Sequence, residues 1–375
     1  MKYRLIDLLA CPHDRSGLRL KDAQVTKTAH TKKLTRVPCR QFCGRRNCSV
    51  AEADVSAEIC SQCYSEEIVE GTLVSPTGKE YPIVGGIPRL LSARASEFIR
   101  KNKASFSLEW KYFRFGERNW GQDLPFRREL FLKGLGLGSN DLRNKLILDA
   151  GCGSGLLSME MANSFGMEVV GVDLATGIEL AYARNTNPDV HFVQGSLLEL
   201  PVRDRVMDCI YCAGVLIHLP DTARAFRLLP RVLRPGGRYF VWIYRTIESH
   251  ELRIDRIKEA IYHRVRTRLT SRLPIRFQEW LYQALLLPFL LKQSIMRLFG
   301  SKQNVRTWRE KMQNYIDTFS PTYVNRHTTQ EVERWFEEAG FANVQLAYEE
   351  RYGFAMRGDL VVPVEEAETK GSVRG

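Results

Sequence analysis

A glycine-rich segment that follows an apolar run is the part of this sequence best suited to binding a nucleotide. The run that ends at Asp149 is followed by Gly-Cys-Gly-Ser-Gly over residues 151–155. Glycines let the backbone turn sharply and come close to a ligand where a Cβ would collide. Asp173 ends the next apolar run, and a carboxylate there can accept hydrogen bonds from both hydroxyls of a ribose. The pattern therefore predicts a site for a ribose-containing cofactor.

The spacing of the glycines separates two kinds of cofactor. A dinucleotide and an adenosine-containing methyl donor would both use a glycine turn followed by an acidic residue. Pyrophosphate binding favours Gly-x-Gly-x-x-Gly, whereas this chain has Gly-x-Gly-x-Gly. The sequence here resembles the class I S-adenosylmethionine-dependent methyltransferases, over about 145–250 and again near 327–348. The motifs that carry the resemblance are Asp149-Ala-Gly-Cys-Gly-Ser-Gly155, Gly171-Val-Asp173, the segment from Asp208 to His218, and Leu233-Arg-Pro-Gly-Gly237.

That resemblance implies S-adenosylmethionine as the cofactor and assigns residues to it. Asp149 and the glycine turn would lie along the methionine part and the ribose, and Asp173 would bind the ribose hydroxyls. The family often has an Asp after the third strand for the adenine amino group, whereas this chain has Gly195-Ser196 there. The implied cofactor-binding residues are Asp149, Gly151, Cys152, Gly153, Gly155, Asp173, Leu174, Ser196, Leu197, Cys212 and Ala213.

Methyl transfer from a sulfonium is an in-line displacement, so an enzyme mainly has to align the reacting atoms and exclude water. A general base is needed only if the acceptor holds its proton tightly. His218 is the best-placed base, and the alternative is that it caps or packs the segment after the fourth strand. An aromatic, helical region at 106–131 is similar to the amino-terminal helices that close over the cofactor and the acceptor in many relatives. The predicted acceptor-binding residues are Trp110, Tyr323 and His327, for which ordinary packing is the alternative.

The cysteines are concentrated near the amino terminus and raise the question of a metal site. Six of the nine precede residue 64, and we expect no export signal, which argues against a disulfide framework. The amino-terminal region resembles the zinc-binding activator subunits that partner RNA and protein methyltransferases. The residues that carry this resemblance are Leu8-Leu-Ala-Cys-Pro12, Cys60-Ser-Gln-Cys63, Gly71-Thr-Leu and Tyr81-Pro-Ile-Val-Gly-Gly-Ile-Pro88.

By that resemblance zinc is a second expected cofactor. Three thiolates need a fourth ligand, for which Asp14, His13 or a cysteine from 39–48 is available. The three cysteines of 39–48 either form a second metal site or are reduced thiols in a basic loop. The predicted zinc ligands are Cys11, Asp14, Cys60 and Cys63.

Short apolar runs alternate with helical periods from residue 145 onward, which is typical of a doubly wound parallel sheet. We therefore expect an α/β fold with a mostly parallel, seven-stranded Rossmann-like sheet. A small α+β zinc-ribbon-like module and a helical insertion complete the predicted architecture. The predicted boundaries are 1–92 for the module, 93–143 for cap helices, 144–360 for the methyltransferase domain with an insertion at 251–311, and 361–375 for a flexible tail.

Two segments carry the formal net charge of +12. Residues 1–50 contain 12 Lys or Arg and 3 Asp or Glu, and residues 251–311 contain 14 and 5. In the second segment a basic amphipathic helix precedes an apolar stretch in which Pro288 should kink or end a helix. This pattern predicts a small, hydrophobic or lipid-like acceptor and peripheral membrane contact through 251–299. The alternative is a helical lid whose arginines form a solvated face.

Other acceptors and roles stay open at this stage. Two basic segments could track the phosphates of tRNA or rRNA, although no RNA-binding motif is recognisable. A non-catalytic, cofactor-binding regulator is a further alternative. The 375 residues are 44% hydrophobic and 26% charged, which excludes a disordered chain or a fibre. We expect a cytoplasmic enzyme, because no run reaches the ~18 apolar residues of a membrane span; its oligomeric state stays undetermined.

Overall fold

An α/β fold is built around one large mixed sheet. The computed structural model describes residues 1–91, 97–117, 122–246, 253–298 and 307–361, so the predicted tail at 361–375 lies outside them except for Val361. Within these residues the large sheet has 11 strands, and one further pair forms a small hairpin. In chain order the strands are β1 (Arg19–Lys27), β2 (Phe42–Cys43), β3 (Cys48–Ser49), β4 (Glu66–Val74), β5 (Glu80–Val84), β6 (Ile87–Leu90), β7 (Leu146–Ala150), β8 (Glu168–Asp173), β9 (Val190–Gly195), β10 (Met207–Ala213), β11 (Leu233–Tyr244), β12 (Phe341–Glu349) and β13 (Gly353–Leu360).

The helices lie on both faces of the sheet and along one of its edges. In chain order those in the described residues are α1 (Arg4–Leu8), α2 (Ala57–Cys63), α3 (Glu97–Lys111), α4 (Leu124–Leu135), α5 (Ser139–Leu142), α6 (Leu156–Phe165), α7 (Gly177–Arg184), α8 (Thr222–Leu228), α9 (Arg253–Arg268), α10 (Ile275–Leu298), α11 (Trp308–Phe319) and α12 (Thr329–Glu338).

The strand order of the large sheet is β1-β4-β5-β6-β9-β8-β7-β10-β11-β13-β12. Neighbouring strands from β6 to β11 are parallel, and the pairs towards both ends are antiparallel. The sheet therefore differs from the expected one, because strands of the amino-terminal region extend it. The junction is the pairing of β6 with β9, at Arg89 with Gln194 and Leu90 with Gly195. This pairing covers what would otherwise be an exposed sheet edge.

The central strands are apolar because both of their faces are covered. All residues of β7 and β9 are buried, as expected for parallel strands between two helical layers. Helix α6 begins after Gly155, and it ends at Gly166, whose left-handed conformation satisfies the last carbonyls. Successive strand-to-helix turns therefore place the carboxyl ends of β7, β8, β9 and β10 side by side at one edge of the sheet.

The first 90 residues share a core with the rest of the sheet. Arg4 of α1 donates to Glu168, the first residue of β8, at 3.0 Å. Leu9 forms an isolated antiparallel bridge with Val202. Buried side chains from both regions belong to one continuous hydrophobic cluster. The amino-terminal region is thus packed on the sheet and not tethered beside it.

Helices α3, α10 and α11 pack on one another over the carboxyl edge of the sheet. From here on we call these three the cap helices; of them only α3 lies in the segment 93–143 for which cap helices were predicted. The predicted insertion at 251–311 supplies α9 and α10. Of the two expectations for Pro288, a kink or a helix end, the helix end is wrong, because α10 continues through this residue. No helix in the described residues is both long enough and apolar enough to cross a membrane. The buried side chains of the cap cluster are Leu108, Tyr112, Tyr282, Leu286, Met312 and Ile316.

Candidate active site

The glycine turn between β7 and α6 has the backbone conformation that its composition predicts. Gly151, Gly153 and Gly155 have φ values of 88°, 55° and 66°, in the left-handed region that favours glycine. Asp149 lies buried just before the turn and accepts a hydrogen bond from Ser158 Oγ of α6. Burial raises the pKa of Asp149 to about 6, although the bond from Ser158 lowers it in part. The turn is therefore fixed at both of its ends.

Asp173 and the glycine turn are joined directly. The backbone N–H of Gly153 donates to Asp173 Oδ2 at 2.8 Å, and that of Ala175 donates to Oδ1 at 2.7 Å. Burial raises the pKa of Asp173, and these backbone hydrogen bonds oppose the shift because they favour the charged carboxylate. The structure thus brings together the two features that the sequence analysis paired.

The other predicted cofactor residues follow the neighbouring strands. Leu174 follows β8, and its carbonyl accepts from Gln194 Nε2 at 3.1 Å. Ser196 follows β9, and its hydroxyl accepts from the N–H of Leu198 at the start of a short 3-10 turn. Cys212 and Ala213 are the last residues of β10. Because β9, β8, β7 and β10 are adjacent in the sheet, the whole predicted set lies at one edge.

Two further residues approach this edge from the helices. A Cβ on Gly153 would lie 2.0 Å from Trp110 Cζ2, so the Trp110 indole of α3 lies directly against the glycine turn. Trp110, predicted to contact the acceptor, is therefore placed on the cofactor side. Burial lowers the pKa of Arg127, in α4, while nearby Tyr211 and Asp149 raise it in part. Arg127 lies in the aromatic, helical region 106–131, but no motif within that region marked this residue.

The chemistry of this residue set fits S-adenosylmethionine. A carboxylate at Asp173 suits a ribose diol, and a guanidinium at Arg127 suits the carboxylate of an amino acid. The turn at 151–155 exposes backbone without Cβ atoms on its glycines, which lets a ligand approach closely. These donors and acceptors come from three different elements, and all of them meet at the carboxyl edge of the sheet.

His218 lies beside this edge in a buried polar environment. Its Nδ1 lies 3.0 Å from the carbonyl oxygen of Tyr323, so Nδ1 carries the hydrogen and donates it. Its Nε2 lies 3.6 Å from Asp317 Oδ1 on α11, and Asp317 Oδ2 accepts from the Tyr244 hydroxyl at 3.0 Å. Burial lowers the pKa of His218, and the Asp317 charge opposes this shift. Neutral His218 therefore directs an Nε2 lone pair towards Asp317.

A buried polar seam runs between α3 and α11 next to His218. Glu109 Oε1 has no hydrogen-bond partner among the described residues, and burial together with the charges of Asp317 and Asp173 raises its pKa well above the usual range. Buried polar atoms without partners normally bind water or a ligand. The other atoms of the seam that lack a partner in the described part of the chain are Asn102 Oδ1, Ser105 Oγ and Gln313 Nε2.

The two remaining predicted acceptor residues occupy different environments. Tyr323 contacts His218 through its backbone carbonyl, and its ring packs edge-on against Phe98 with 5.5 Å between centroids. The ring of His327 packs on Trp335 at 4.7 Å, and its Nδ1 lies 3.6 Å from Glu331. Tyr323 is thus beside His218, whereas the side chain of His327 contacts α12.

The predicted zinc ligands are not brought together. Cys11 Sγ lies 3.2 Å from the Tyr81 hydroxyl, and Asp14 accepts from the hydroxyls of Ser16 and Thr77. In the described ranges no three His, Cys, Asp or Glu side chains are arranged to hold a metal ion. The four predicted ligands are apart because the β2–β3 hairpin, and not the turn after Cys11, lies against α2. The cysteines that line a common cavity there are Cys39, Cys43, Cys60 and Cys63.

Comparison with known proteins gives matches for the central region. Residues 148–241 match the family model described as "Methyltransferase domain". The chain is similar to the chloroplastic tocopherol O-methyltransferase of Arabidopsis thaliana, with 31% identity over 114 residues that cover 28% of this chain and 33% of the relative. It is also similar to the ubiquinone biosynthesis O-methyltransferase of Paracidovorax citrulli, with 30% identity over 143 residues that cover 36% and 58%.

The solved structures that match this chain do so at low identity. The magnesium protoporphyrin IX methyltransferase of Synechocystis PCC 6803 matches with a TM-score of 0.42 and 14% identity, covering 70% of this chain and 100% of that one. The chain spans about half the length, or less, of several curated relatives that it matches. The matched region 148–241 contains the glycine turn, Asp173 and His218.

Proposed function

We propose that this protein is an S-adenosylmethionine-dependent methyltransferase that acts on a small, hydrophobic or lipid-like acceptor. The observation that carries the proposal is the junction at Asp173, whose carboxylate accepts from the N–H of Gly153 within the glycine turn. This junction sets a diol-binding carboxylate beside a stretch of backbone that a ligand can approach closely. The match of residues 148–241 to the methyltransferase-domain family supports the same conclusion.

Residues of three elements hold the cofactor. Asp173 binds the ribose hydroxyls, Arg127 binds the carboxylate of the amino acid part, and the indole of Trp110 closes over the turn at Gly153. When bound, the cofactor supplies a methyl group on a positively charged sulfur that leaves readily. Because the leaving group is already activated, the protein contributes mainly alignment and exclusion of water. Ser196 replaces the acidic residue that many relatives use for the adenine, so this contact is weaker or made by the backbone.

His218 acts as the general base for an acceptor that carries a hydroxyl. Its Nδ1–H is fixed on the carbonyl of Tyr323, so Nε2 is the atom that would take the proton of the acceptor hydroxyl. Asp317, 3.6 Å from Nε2, stabilises the imidazolium that results. The polar atoms of the α3–α11 seam, including Glu109 and Gln313, orient the polar end of the acceptor.

The acceptor is hydrophobic because the seam continues into apolar surroundings. The ring of Phe106 lies 5.1 Å from that of His218, and Leu108 and Met312 belong to the cap cluster on the same two helices. Two of the similar proteins are named for tocopherol and for ubiquinone biosynthesis, which is in accord with an apolar acceptor. A polar reactive end in an otherwise apolar molecule matches this lining.

The position of the basic residues does not favour the RNA alternative. Lys32, Lys33 and Arg36 line a cleft with Asp189 and Arg234, which lie at the amino ends of the central strands. The second basic segment belongs to α9 and α10, at the carboxyl edge. The two segments thus lie at opposite edges of the sheet, where they cannot form one continuous phosphate-binding surface.

Calorimetry with the wild-type chain and an Asp173→Ala variant tests the cofactor assignment. We expect S-adenosylmethionine and S-adenosylhomocysteine to bind the wild type, and Asp173→Ala to weaken both by about 10- to 100-fold, since two charge-assisted hydrogen bonds are lost. Asp189→Ala, at the opposite edge of the sheet, is the matched control and should bind as the wild type does. Absence of binding to the wild type, or undiminished binding to Asp173→Ala, would overturn the proposal.

The acceptor class is tested by incubating the protein with labelled methyl donor and a cell extract. Label in the lipid or small-molecule fraction supports the proposed acceptor, and label confined to RNA overturns it. A salt titration against bulk tRNA adds a second measure, because phosphate contacts impose a steep dependence on salt.

A further inference from the structure

Helix α10 presents a row of large apolar side chains to solvent. The exposed fractions are 64% for Phe277, 69% for Trp280, 65% for Leu287 and 63% for Leu291. Their spacing of three, seven and four residues places them on one face of the helix. Helix α10 continues through Pro288, so this face, which we call the α10 outer face, is not interrupted by a helix end.

The opposite side of α10 accounts for its attachment to the protein. Tyr282 and Leu286 are buried in the cap cluster against residues of α3 and α11. From Trp280 to Leu291 the sequence has no charged residue, so the helix is apolar on the packed side and on the outer side. A helix that is apolar all round is normally buried on every side. The outer face of α10 is therefore available for an apolar partner.

Exposed cationic side chains precede this face in the chain. Arg264 and Arg268 of α9, Arg272 of the connection and Arg276 of α10 are exposed. The nearest acidic residue of α10, Glu279, accepts from Lys111 and from the Tyr112 hydroxyl, so its charge is balanced within the protein. The described residues supply no ion pair to Arg272 or Arg276, and Arg276, which precedes Phe277 directly, places positive charge beside the apolar face.

We propose that the α10 outer face and the adjoining arginines dock on an anionic lipid bilayer. Apolar side chains enter the boundary between headgroups and acyl chains, and the cations contact anionic headgroups. Trp280 is suited to this boundary because its ring is large and amphipathic. The helix lies along the surface and does not span the bilayer, in agreement with the absence of a spanning helix from the described residues.

Charge favours a bilayer over a second copy of the chain. In a two-fold dimer the same patch faces itself, so contact through α10 would bring Arg272 and Arg276 of both copies into one interface. Like charges in an interface are unfavourable, whereas anionic headgroups neutralise them. The docking also places the cap helices, and with them the seam at Glu109 and Asp317, next to a source of hydrophobic acceptors.

Co-sedimentation of the full chain with vesicles tests this docking. Vesicles of phosphatidylcholine alone are compared with vesicles that contain about one third phosphatidylglycerol. We expect the wild type to sediment with the anionic vesicles and to be released by salt. Leu287→Glu should weaken binding at least about tenfold, and Arg272→Glu by roughly 10- to 30-fold, because the first removes apolar burial and the second reverses a charge at the surface.

Matched substitutions elsewhere control for the change of charge. Leu346→Glu, at a residue that is 47% exposed on β12, and Arg224→Glu on α8 introduce the same changes away from α10 and should bind vesicles as the wild type does. Circular dichroism verifies that each variant is folded. Because vesicle binding needs no cofactor, its failure leaves the calorimetric test of Asp173 unaffected, and the two proposals can fail separately.

Three outcomes would overturn the docking proposal. In the first, the wild type stays in the supernatant with anionic vesicles at low salt. In the second, Leu287→Glu sediments as well as the wild type does. In the third, ultracentrifugation shows a dimer that Leu287→Glu dissociates, with no vesicle binding, and the α10 outer face is then a self-association surface.

Discussion

The protonation of His218 is set by burial, by the charge of Asp317 and by one fixed hydrogen bond to Tyr323. We predict that His218→Asn lowers the rate of methyl transfer about 10²- to 10⁴-fold, the usual contribution of a general base. Asp317→Asn should lower it less, because the base remains. Cofactor affinity should be unchanged in both variants, since neither side chain belongs to the cofactor residues. The rate with the labelled donor and calorimetry of cofactor binding give the two readouts.

A matched control and a pH profile separate catalysis from packing at His218. His13→Asn, at an exposed residue of the amino-terminal region, should leave the rate unchanged. Burial lowers the pKa of His218, so the neutral base persists as the pH falls through 6.5, and the rate should decline only below that value. Asp317→Asn removes a charge that raises the pKa, so the decline should move to still lower pH. A decline at or above pH 6.5 in the wild type would contradict this assignment.

Glu168 provides a prediction about stability. Burial alone would raise its pKa, but the charge of Arg4 and the hydrogen bond from His191 outweigh burial and lower the pKa to about 2. A carboxyl whose pKa is lower in the folded chain stabilises the fold above its unfolded pKa, and this contribution is lost as the pH falls towards 2. Glu168→Gln removes one of the two carboxylates paired with the buried Arg4, whose other partner is Asp7. We therefore expect the unfolding free energy to fall by about 3 kcal/mol at pH 7.

Denaturant unfolding of Glu168→Gln and of the wild type from pH 7 to pH 3 measures this difference. The gap in unfolding free energy should narrow steadily below pH 4.5, because the wild-type carboxyl is then progressively protonated during unfolding. Glu199→Gln, in the short turn after β9, changes a carboxyl without such a bond to Arg4 and serves as the comparison. A gap that is constant with pH would show that the ion pair does not account for the stability of this region.

At the scale of the element, the β7–α6 turn combines a special backbone conformation with close packing. Gly153 has a φ of 55°, and a Cβ there would lie 2.0 Å from Trp110 Cζ2. We predict that Gly153→Ala lowers the unfolding free energy by about 1–3 kcal/mol and weakens cofactor binding, because both the backbone and the indole must move. Thermal denaturation and calorimetry measure the two effects.

Gly236→Ala isolates the backbone contribution to this prediction. Gly236 has a φ of 75° but nothing within 4 Å of a Cβ, so its substitution strains the backbone without a steric clash. It should lower the unfolding free energy by about 1 kcal/mol and leave cofactor binding intact. Adding Trp110→Ala to Gly153→Ala should restore part of the lost stability. Equal effects of the two glycine substitutions on cofactor binding would argue against a role for close packing at the turn.

The cofactor edge was predictable from sequence because it depends on local patterns. The predicted cofactor residues lie at or just after the carboxyl ends of four strands, and adjacent parallel strands place such residues at one edge whatever the rest of the fold does. Helix α12 also begins at a local signal, since Thr328 and Glu331 form a capping box at its start. In these cases one short segment contains both the signal and the structure.

Contacts between distant segments were not predictable in the same way. Asp317 reaches His218 from α11, and Glu109 reaches the same place from α3, through helix packing that no spacing in the sequence encodes. The error at Cys11 has the same origin, because Cys11 turns towards Tyr81 and the cysteines near α2 come from another loop. The extension of the sheet likewise depends on the two residue pairs between β6 and β9.

For the whole molecule, the shared sheet determines how the chain should unfold. The first 90 residues and the region from 146 to 360 contribute strands to the same sheet and side chains to the same core. Two bodies joined by a linker would unfold in separate steps, whereas elements that share a core unfold together. We therefore predict one cooperative transition for the described parts of both regions.

Pulsed thiol labelling across a series of guanidinium concentrations measures the unfolding transition of each region, because buried cysteines lie in both. Cys43 and Cys60 report on the amino-terminal region, and Cys209 and Cys212 report on β10; all four are buried. The midpoints of the four cysteines should coincide. Leu9→Ala removes a buried contact in the shared core, so it should lower the unfolding free energy measured at all four cysteines by about 2–5 kcal/mol. An earlier transition at Cys43 and Cys60 alone would show that β6 and the contact of Leu9 with Val202 do not couple the two regions.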